Sequence, residues 1–485
     1  MAGGHTTGHH VDLVVVSGAI SLVGVAALAG AGPGLVAPAA ALLALLTIAR
    51  HVVVPWSTAI VMLLVIVLFI PIRRYALAIN LPFELEPYRG YVLALAGIWL
   101  ACLLVDPRAR IRLTGLEAPL ALLGIAVLGS ILTNMESITD EDLSMAVLKK
   151  LTFWIAFVLV LYMVASLSSA LDADVYLRTL VLGAAALGTL GVVEWKTGTN
   201  VFNDLQQLMP FIAPIGDDLE TFRAGLNRAY GSAQHPIAYG AALALVLPIS
   251  VVLAFRRRRP VWFVCAALII LGSLASVSRT SVVMLAVSAV VLAVLKPQAA
   301  RQALPFALPL LVAIQLALPG TFATTKALFL PEEGLVEQQA EASAGSGRVA
   351  SLGPAIDEAS EHPFFGRGFG TRLVGSDPRA NSIILDDEWL TTTLEIGLVG
   401  AIAWLWIFWR FCGRAMRAAR EGDDDRHWLL AALAASVASF AVGMVFFDAF
   451  SFIQVTLIMI VLLGIGAVLL RQEESSAERA AARAA

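Results

Sequence analysis

The apolar residues of this chain gather into fourteen runs, and the polar residues between them fall in recognisable places. The runs cover residues 11–30, 35–49, 52–70, 90–105, 116–132, 151–167, 176–195, 237–255, 261–277, 282–295, 303–318, 391–409, 428–447 and 452–470. A hydrocarbon core of about 30 Å is crossed by a helix of about 20 apolar residues. Only helices and closed barrels satisfy every backbone polar group in lipid, and these runs are continuous rather than alternating. The pattern predicts an all-α polytopic membrane protein with about 12–14 transmembrane helices. Runs 35–49 and 282–295 are short, as half-helices or steeply packed helices would be. There is no internal repeat.

Lysine and arginine in short loops set the expected orientation. Arg108, Arg110 and Arg112 share one loop, Arg256–Arg259 form a second, Lys296 and Arg301 flank a third, and Arg410, Arg414, Arg417, Arg420 and Arg426 fill a fourth. Threading the runs puts all four on one side, expected to be the cytoplasm, with both termini. Loops 71–89, 133–150, 196–236 and 319–390 then face outward, and Arg73 and Arg74 are a local exception.

Composition agrees: 59% of residues are hydrophobic and 14% charged, with mean hydropathy +0.83. A length of 485 residues would suggest about three soluble domains, but the hydropathy divides the chain otherwise. Residues 1–318 read as an N-terminal transmembrane bundle, 319–390 as a large extracytoplasmic loop capping a cavity, 391–470 as C-terminal membrane helices and 471–485 as a frayed cytoplasmic tail. A net charge of −3 and a pI of about 6.2 give no reason to expect a nucleic-acid partner. Cys102, Cys265 and Cys412 lie in or beside apolar runs with neither disulfide nor zinc spacing. The start, MAGGHTTGHH, lacks the basic region and cleavage site of a signal peptide. Its three histidines are expected in a disordered tail.

Within the long loop, residues 349–360 have helical spacing, stopped by His362-Pro363 and by glycines 366, 368 and 370. Phe364, Phe365, Phe369 and the apolar 383–385 segment predict a loop folded over the bundle.

Three arginines stand out on the face opposite the basic loops. Arg228 precedes a span in the segment that ends His235-Pro236, Arg279 lies in Ser278-Arg-Thr-Ser281, and Arg348 follows Gly345-Ser-Gly. A guanidinium forks onto two phosphate oxygens and keeps its charge at any working pH. Each arginine alone fits interfacial snorkelling. The flanking glycines, hydroxyls and histidine favour a diphosphate-sized site, with Arg223, His235 and Arg367 as possible support.

Acids gather ahead of span 391–409. Asp386, Asp387 and Glu388 precede it, and Glu395 lies one turn inside. Helix capping accounts for Asp386 or Asp387. It does not account for Glu395, since a carboxylate in an apolar helix is costly unless paired or wet. Trp404, Trp406 and Trp409 are expected to anchor the inner end of the span.

These pieces resemble the O-antigen ligase and O-antigen polymerase superfamily of bacterial membrane glycosyltransferases. The resemblance rests on Glu194-Trp-Lys-Thr-Gly198 with Phe202, on Arg228–Gly231 with His235-Pro236, and on Ser278-Arg279. It rests also on Gly347-Arg348, His362-Pro-Phe-Phe-Gly-Arg-Gly-Phe-Gly370 and Glu395-Ile-Gly-Leu-Val-Gly400. It spans about residues 180–400. One departure is notable. The ligases place a His-Asn pair eleven residues before the Gly of Glu-x-Gly, and counting back from Gly397 reaches Asp386-Asp387 here, as in some polymerase-like relatives.

The resemblance implies a GT-C-like bundle in the bacterial cytoplasmic membrane, with the large external loop between the eleventh and twelfth predicted spans. It implies a glycan donor linked to a polyprenyl diphosphate, a glycan or lipid acceptor, and contact with the lipid bilayer. In that reaction Arg228, Arg279 and Arg348 would hold the diphosphate, Asp386 would take the acceptor proton with Glu395 as the second catalytic residue, and Asp387 would be possible support. No cofactor or metal is expected. The rival reading is a transporter or lipid flippase, which would place ionisable groups near the midplane; here they crowd one face. The topology is tested by cysteine labelling: an impermeant thiol reagent applied from outside should modify a cysteine at Ser343 and spare one at Gly422.

Overall fold

The computed structural model describes residues 55–78, 85–107, 109–215, 222–223, 226–320, 348–373, 381–382 and 385–484, with 323, 326 and 329. The predicted spans 11–30 and 35–49 and the segment 330–347 lie outside the described residues. Each of the other twelve predicted spans coincides with an apolar helix. These are α1 (Trp56–Phe69), α2 (Pro87–Val105), α3 (Glu117–Thr133), α4 (Ser144–Leu167), α5 (Ala170–Thr197), α6 (Pro236–Arg257), α7 (Pro260–Ala275), α8 (Arg279–Leu295) and α9 (Pro297–Ala317). After the long loop come α11 (Glu388–Glu421), α12 (Asp425–Gly443) and α13 (Ile453–Ala484). Among the described residues eight are long and apolar enough to cross a membrane, while α1, α3, α7 and α8 are shorter apolar helices. The loop's own helix, α10 (Arg348–Glu361), falls where the spacing predicted it. The protein is an all-α polytopic membrane protein.

Local chemistry sets the helix ends. A reciprocal capping box opens α5, where the Ser169 hydroxyl and the Asp172 carboxylate each accept from the other's backbone N–H. The helix closes on Gly198, at φ 73°. Pro236 starts α6 after His235, whose Nδ1 accepts from the Ile237 N–H at 3.2 Å.

Helices α6, α12 and α13 form the buried centre, and α4, α5, α7, α8 and α11 pack around them. At the α5–α7 crossing Gly188 meets Gly272, where either Cβ would collide with the opposing backbone. Helix α9 is peripheral and exposes Leu304, Phe306 and Leu308.

The bundle has two distinct ends. At one, Arg410 Nε donates to Gly115 O at 2.5 Å, and Arg414 Nη1 to Thr114 O at 3.2 Å. Arg256 pairs with Asp425 at 2.9 Å, and Lys296 donates to Gly422 O at 3.0 Å. The four basic loops thus come together, as the charge pattern predicted. At the other end, strand β1 (Tyr75–Leu77) pairs antiparallel with β2 (Ile212–Pro214), joining two loops expected to share a face. A second short hairpin joins β3 (Phe222–Arg223) to β4 (Leu226–Asn227). Arg74, one of the two exceptions, packs here: its Nη1 donates to Gly231 O at 3.0 Å and its guanidinium lies 4.9 Å from the Tyr230 ring centroid.

Three expectations need correction. Helix α11 runs twelve residues past position 409, because Phe408, Phe411, Ala415, Ala418 and Ala419 continue a buried stripe at helical spacing. Trp404 is therefore no interfacial anchor: it is 3% exposed and packs against Trp154 and Phe450. The expected frayed tail continues α13, held by Arg471, which donates to Leu113 O at 3.0 Å and Ala165 O at 2.6 Å.

The break inside α11 is the most consequential local feature. Gly397 sits at φ 69°, ψ −174° in the middle of the helix, a region open essentially to glycine alone. The loop 362–370 fills the break. Leu398 N–H donates to Pro363 O at 2.8 Å and Val399 N–H to Phe364 O at 3.3 Å, while Arg367 N–H donates to Leu394 O at 2.8 Å. Ser130 Oγ caps Glu395 O at 2.6 Å and Asn134 Nδ2 donates to Gly366 O at 3.0 Å. A Cβ on Gly397 would strike the Phe364 carbonyl, and one on Gly366 the backbone of Glu395. Gly397→Ala should therefore destabilise the protein by about 1–3 kcal/mol or more, read as a lower unfolding midpoint in detergent. Gly413→Ala, with open space around it in the helix interior, should leave the midpoint unchanged or raise it slightly.

Candidate active site

Four acids in and around the start of α11 divide the work. Asp386 is half-buried and left-handed, at φ 51°. Asp387 is the N-cap of α11, its carboxylate accepting from Leu390 N–H at 3.0 Å. Glu388 is 3% exposed. Its Oε2 accepts from Phe450 N–H at 2.8 Å and its own N–H donates to Met444 O at 2.8 Å. These bonds stitch α11 to the connection between α12 and α13, residues 444–452. Asp448 lies in that connection, where Thr391 Oγ1 donates to its Oδ1 at 3.3 Å. Burial pushes the Asp448 carboxyl up to about 6, and the neighbouring Asp386 charge adds to this; the Thr391 hydroxyl and the Lys150 ammonium pull it down.

Glu395, the acid inside the apolar helix, is 4% exposed and forms an ion pair with Lys150 of α4. The pairing answers the cost of burying a carboxylate. The Lys150 ammonium also lies 5.5 Å from the Phe369 ring centroid.

The arginines are positioned by another buried acid. Glu194, at the end of α5, accepts from the N–H groups of Tyr230 at 3.2 Å and Gly231 at 2.9 Å, and from Asn200 Nδ2 at 3.0 Å. This clamps the loop before α6. Within it Ala229 N–H donates to Ala275 O at 3.0 Å, and Arg228 Nε donates to Ser276 O at 3.1 Å. Ser276 lies three residues before Arg279, the first residue of α8. Arg228 and Arg279 are thus brought to one turn. The next residue, Thr280, donates its hydroxyl to Phe446 O at 3.3 Å, so that turn abuts the connection that carries Asp448.

The remaining predicted residues are spread around this end. His235 stacks on Phe452, with ring centroids 5.8 Å apart. Arg367 is 61% exposed on its side chain and pairs with Glu358 at 3.6 Å. Arg348 opens α10 and Arg223 lies in β3, but their side chains lie outside the described residues.

Two residues escaped the sequence reading. Asp448 is a lone carboxylate in the otherwise apolar run Phe446-Phe-Asp-Ala-Phe450, a signal that was there to be seen. Lys150 read as the last residue of a loop, and nothing in its neighbourhood in sequence points to Glu395.

Fixed guanidinium groups beside a carboxylate cluster suit a polytopic membrane enzyme that binds an anionic group and moves a proton. Residues 263–405 match the family model of O-antigen ligase, which supports the superfamily that the motifs resemble. The match takes in Arg279, Arg348, Arg367, Asp386, Asp387 and Glu395, and leaves Arg228 and His235 outside. The matched segment and the apolar helices support a multi-pass membrane protein with a role of the ligase or polymerase type in cell-surface glycan assembly. A search of curated proteins found no match to the chain.

The division of labour among the acids is testable by stability. Asp387→Ala should cost about 1 kcal/mol through the lost cap, while Asp387→Asn, which keeps a capping oxygen, should stay within a few tenths, both read by thermal unfolding in detergent.

Proposed function

We propose that the protein transfers or polymerises glycan from a polyprenyl-diphosphate-linked donor onto an acceptor hydroxyl at the outer face of the cytoplasmic membrane. The observation that carries this reading is the convergence of Arg228 and Arg279 on the Ser276 turn, joined through Thr280 and Phe446 to the connection that holds Asp448 beside Asp386. The leaving diphosphate gains charge in the transition state, and preorganised cations stabilise it. Arg228 and Arg279, with Arg348 from the large loop, take that role, so the reaction as proposed uses no metal. The acceptor hydroxyl gives its proton to a carboxylate base. Asp386 takes that role as the first residue of the pair that stands where the ligases place His-Asn, beside Asp448; Asp387 caps α11, Glu388 holds the 444–452 connection and Glu395 pairs with Lys150. The basic end faces the cytoplasm in this reading, with the site and the long loop outside.

As the pH falls through about 6, Asp448 takes up a proton, and the loss of its charge leaves the neighbouring carboxylate a weaker proton acceptor. Transfer should therefore decline below about pH 6. Asp386→Asn should lower transfer by about 10²–10⁴, the usual contribution of a general base, with donor binding retained. Arg279→Lys should also impair turnover, because the charge remains while the fork is lost. The decisive measurement is of lipid-linked glycans in a deletion strain. Single repeats accumulating on lipid mark a polymerase and long chains mark a ligase, whereas an unchanged lipid-linked pool overturns the proposal.

A further inference from the structure

Lys150 joins by charge the parts of this end of the bundle that Trp154, also on α4, joins by ring packing. It projects from α4 onto Glu395, the residue two before the break in α11. The loop 362–370 that fills the break touches it too: Phe369 lies against the ammonium, and a Cβ on Gly370 would sit 3.2 Å from Lys150 Cβ. Its charge reaches Glu388 on α11 and Asp448 in the 444–452 connection. Three carboxylates, Glu388, Glu395 and Asp448, therefore gather around one ammonium, and Asp386 lies beside Asp448. From α4 itself, Lys149 is exposed and Lys150 alone turns inward. The remaining charged groups of the docked loop, Arg367 and Arg372, are taken up by Glu358. The side chain of Lys150 is 31% exposed, against 5% for Glu395. A lysine kept only to neutralise a buried glutamate has no need of that access.

We propose that Lys150 is a positioning residue, whose ammonium ties the broken helix through Glu395 to the carboxylates around Asp448 and offsets their mutual repulsion. The inference rests on the reading of Asp386 as the base, since it concerns the charge state of the group beside that base. Like charges at close range drive one another to hold protons, and an opposite charge within about 4–6 Å works against this by about 1–3 pH units. Removing the ammonium should therefore make Asp448 take up its proton at higher pH.

The test is the pH profile of glycan transfer in membranes, with the lipid-linked glycan extracted from the deletion strain as donor. Lys150→Met should lower transfer by about 10-fold to 100-fold, the scale of a small misplacement at a reacting centre. It should also move the acidic limb upward by about one pH unit. Lys150→Arg should restore most of the rate and return the limb. Lys150→Met leaves Glu395 buried without its partner and risks the fold, so Lys150→Met with Glu395→Gln is the companion variant; it removes both charges and should still show the displaced limb. A limb that stays in place in the Met and double variants, whatever the loss of rate, reduces Lys150 to a structural tie and overturns the proposal while leaving Asp386 as base untouched. A parent protein that transfers no glycan overturns the functional reading and this proposal with it.

Discussion

A carboxylate taken out of water costs several kcal/mol unless its hydrogen bonds are made again inside the protein. Glu388 makes them with the backbone of a single segment: Phe450 donates to its side chain, and its own N–H donates to Met444. That reciprocal stitch holds the 444–452 connection against the first turn of α11, and much of the site end leans on the connection. Thr280 bonds to Phe446, Gln234 Nε2 donates to Ser451 O at 3.0 Å, His235 stacks on Phe452, and Phe450 packs against Trp154 and Trp404. Helices α4, α6, α8 and α11 thereby meet on one short stretch of chain. The connection carries Asp448 at its centre, so the charge at the site is placed by the same contacts that close the bundle.

The second constraint is backbone satisfaction. Irregular chain is tolerated near an apolar bundle only where other protein groups take its N–H and C=O. The break at Gly397 meets this rule by exchange. The loop 362–370 gives carbonyls to Leu398 and Val399 and takes the Leu394 carbonyl in return, while Ser130 caps Glu395. Glycines 366 and 397 let the two backbones touch. The break lets α11 set Asp386 and Glu388 at one end while continuing to Glu421 at the other. It also leaves Glu395 where Lys150 reaches it.

Charge is segregated twice in this protein. Across the bundle, arginines crowd one end and tie its loops together by carbonyl contacts and ion pairs. Within the opposite end, the arginines gather on the Ser276 turn and the carboxylates on α11 and the 444–452 connection, and the Thr280–Phe446 contact joins the two groups. Cations on the turn and carboxylates on the connection suit the proposed reaction, in which the leaving group is anionic and the incoming group must lose a proton.

Helix positions, the gathering of basic loops at one end and the short helix of the long loop followed from the sequence, because hydropathy, charge bias and capping chemistry are properties of neighbouring residues. His235-Pro236 at the start of α6, Asp387 as a cap and the glycines that stop α10 belong to that class. The particular pairings do not. Lys150 and Glu395 are 245 residues apart, Thr280 and Phe446 166, and Glu388 and Phe450 62, and no local pattern marks one partner for the other. Trp404 read as an interfacial anchor because its neighbours Trp406 and Trp409 are tryptophans near the end of an apolar run, yet packing against Trp154 and Phe450 buries it. The residue types that carry the chemistry were legible one by one. Which carboxylate caps, which one stitches, which one pairs with lysine and which one stands beside Asp448 was decided by tertiary structure, because burial and hydrogen-bond supply at each position depend on what the rest of the chain brings against it.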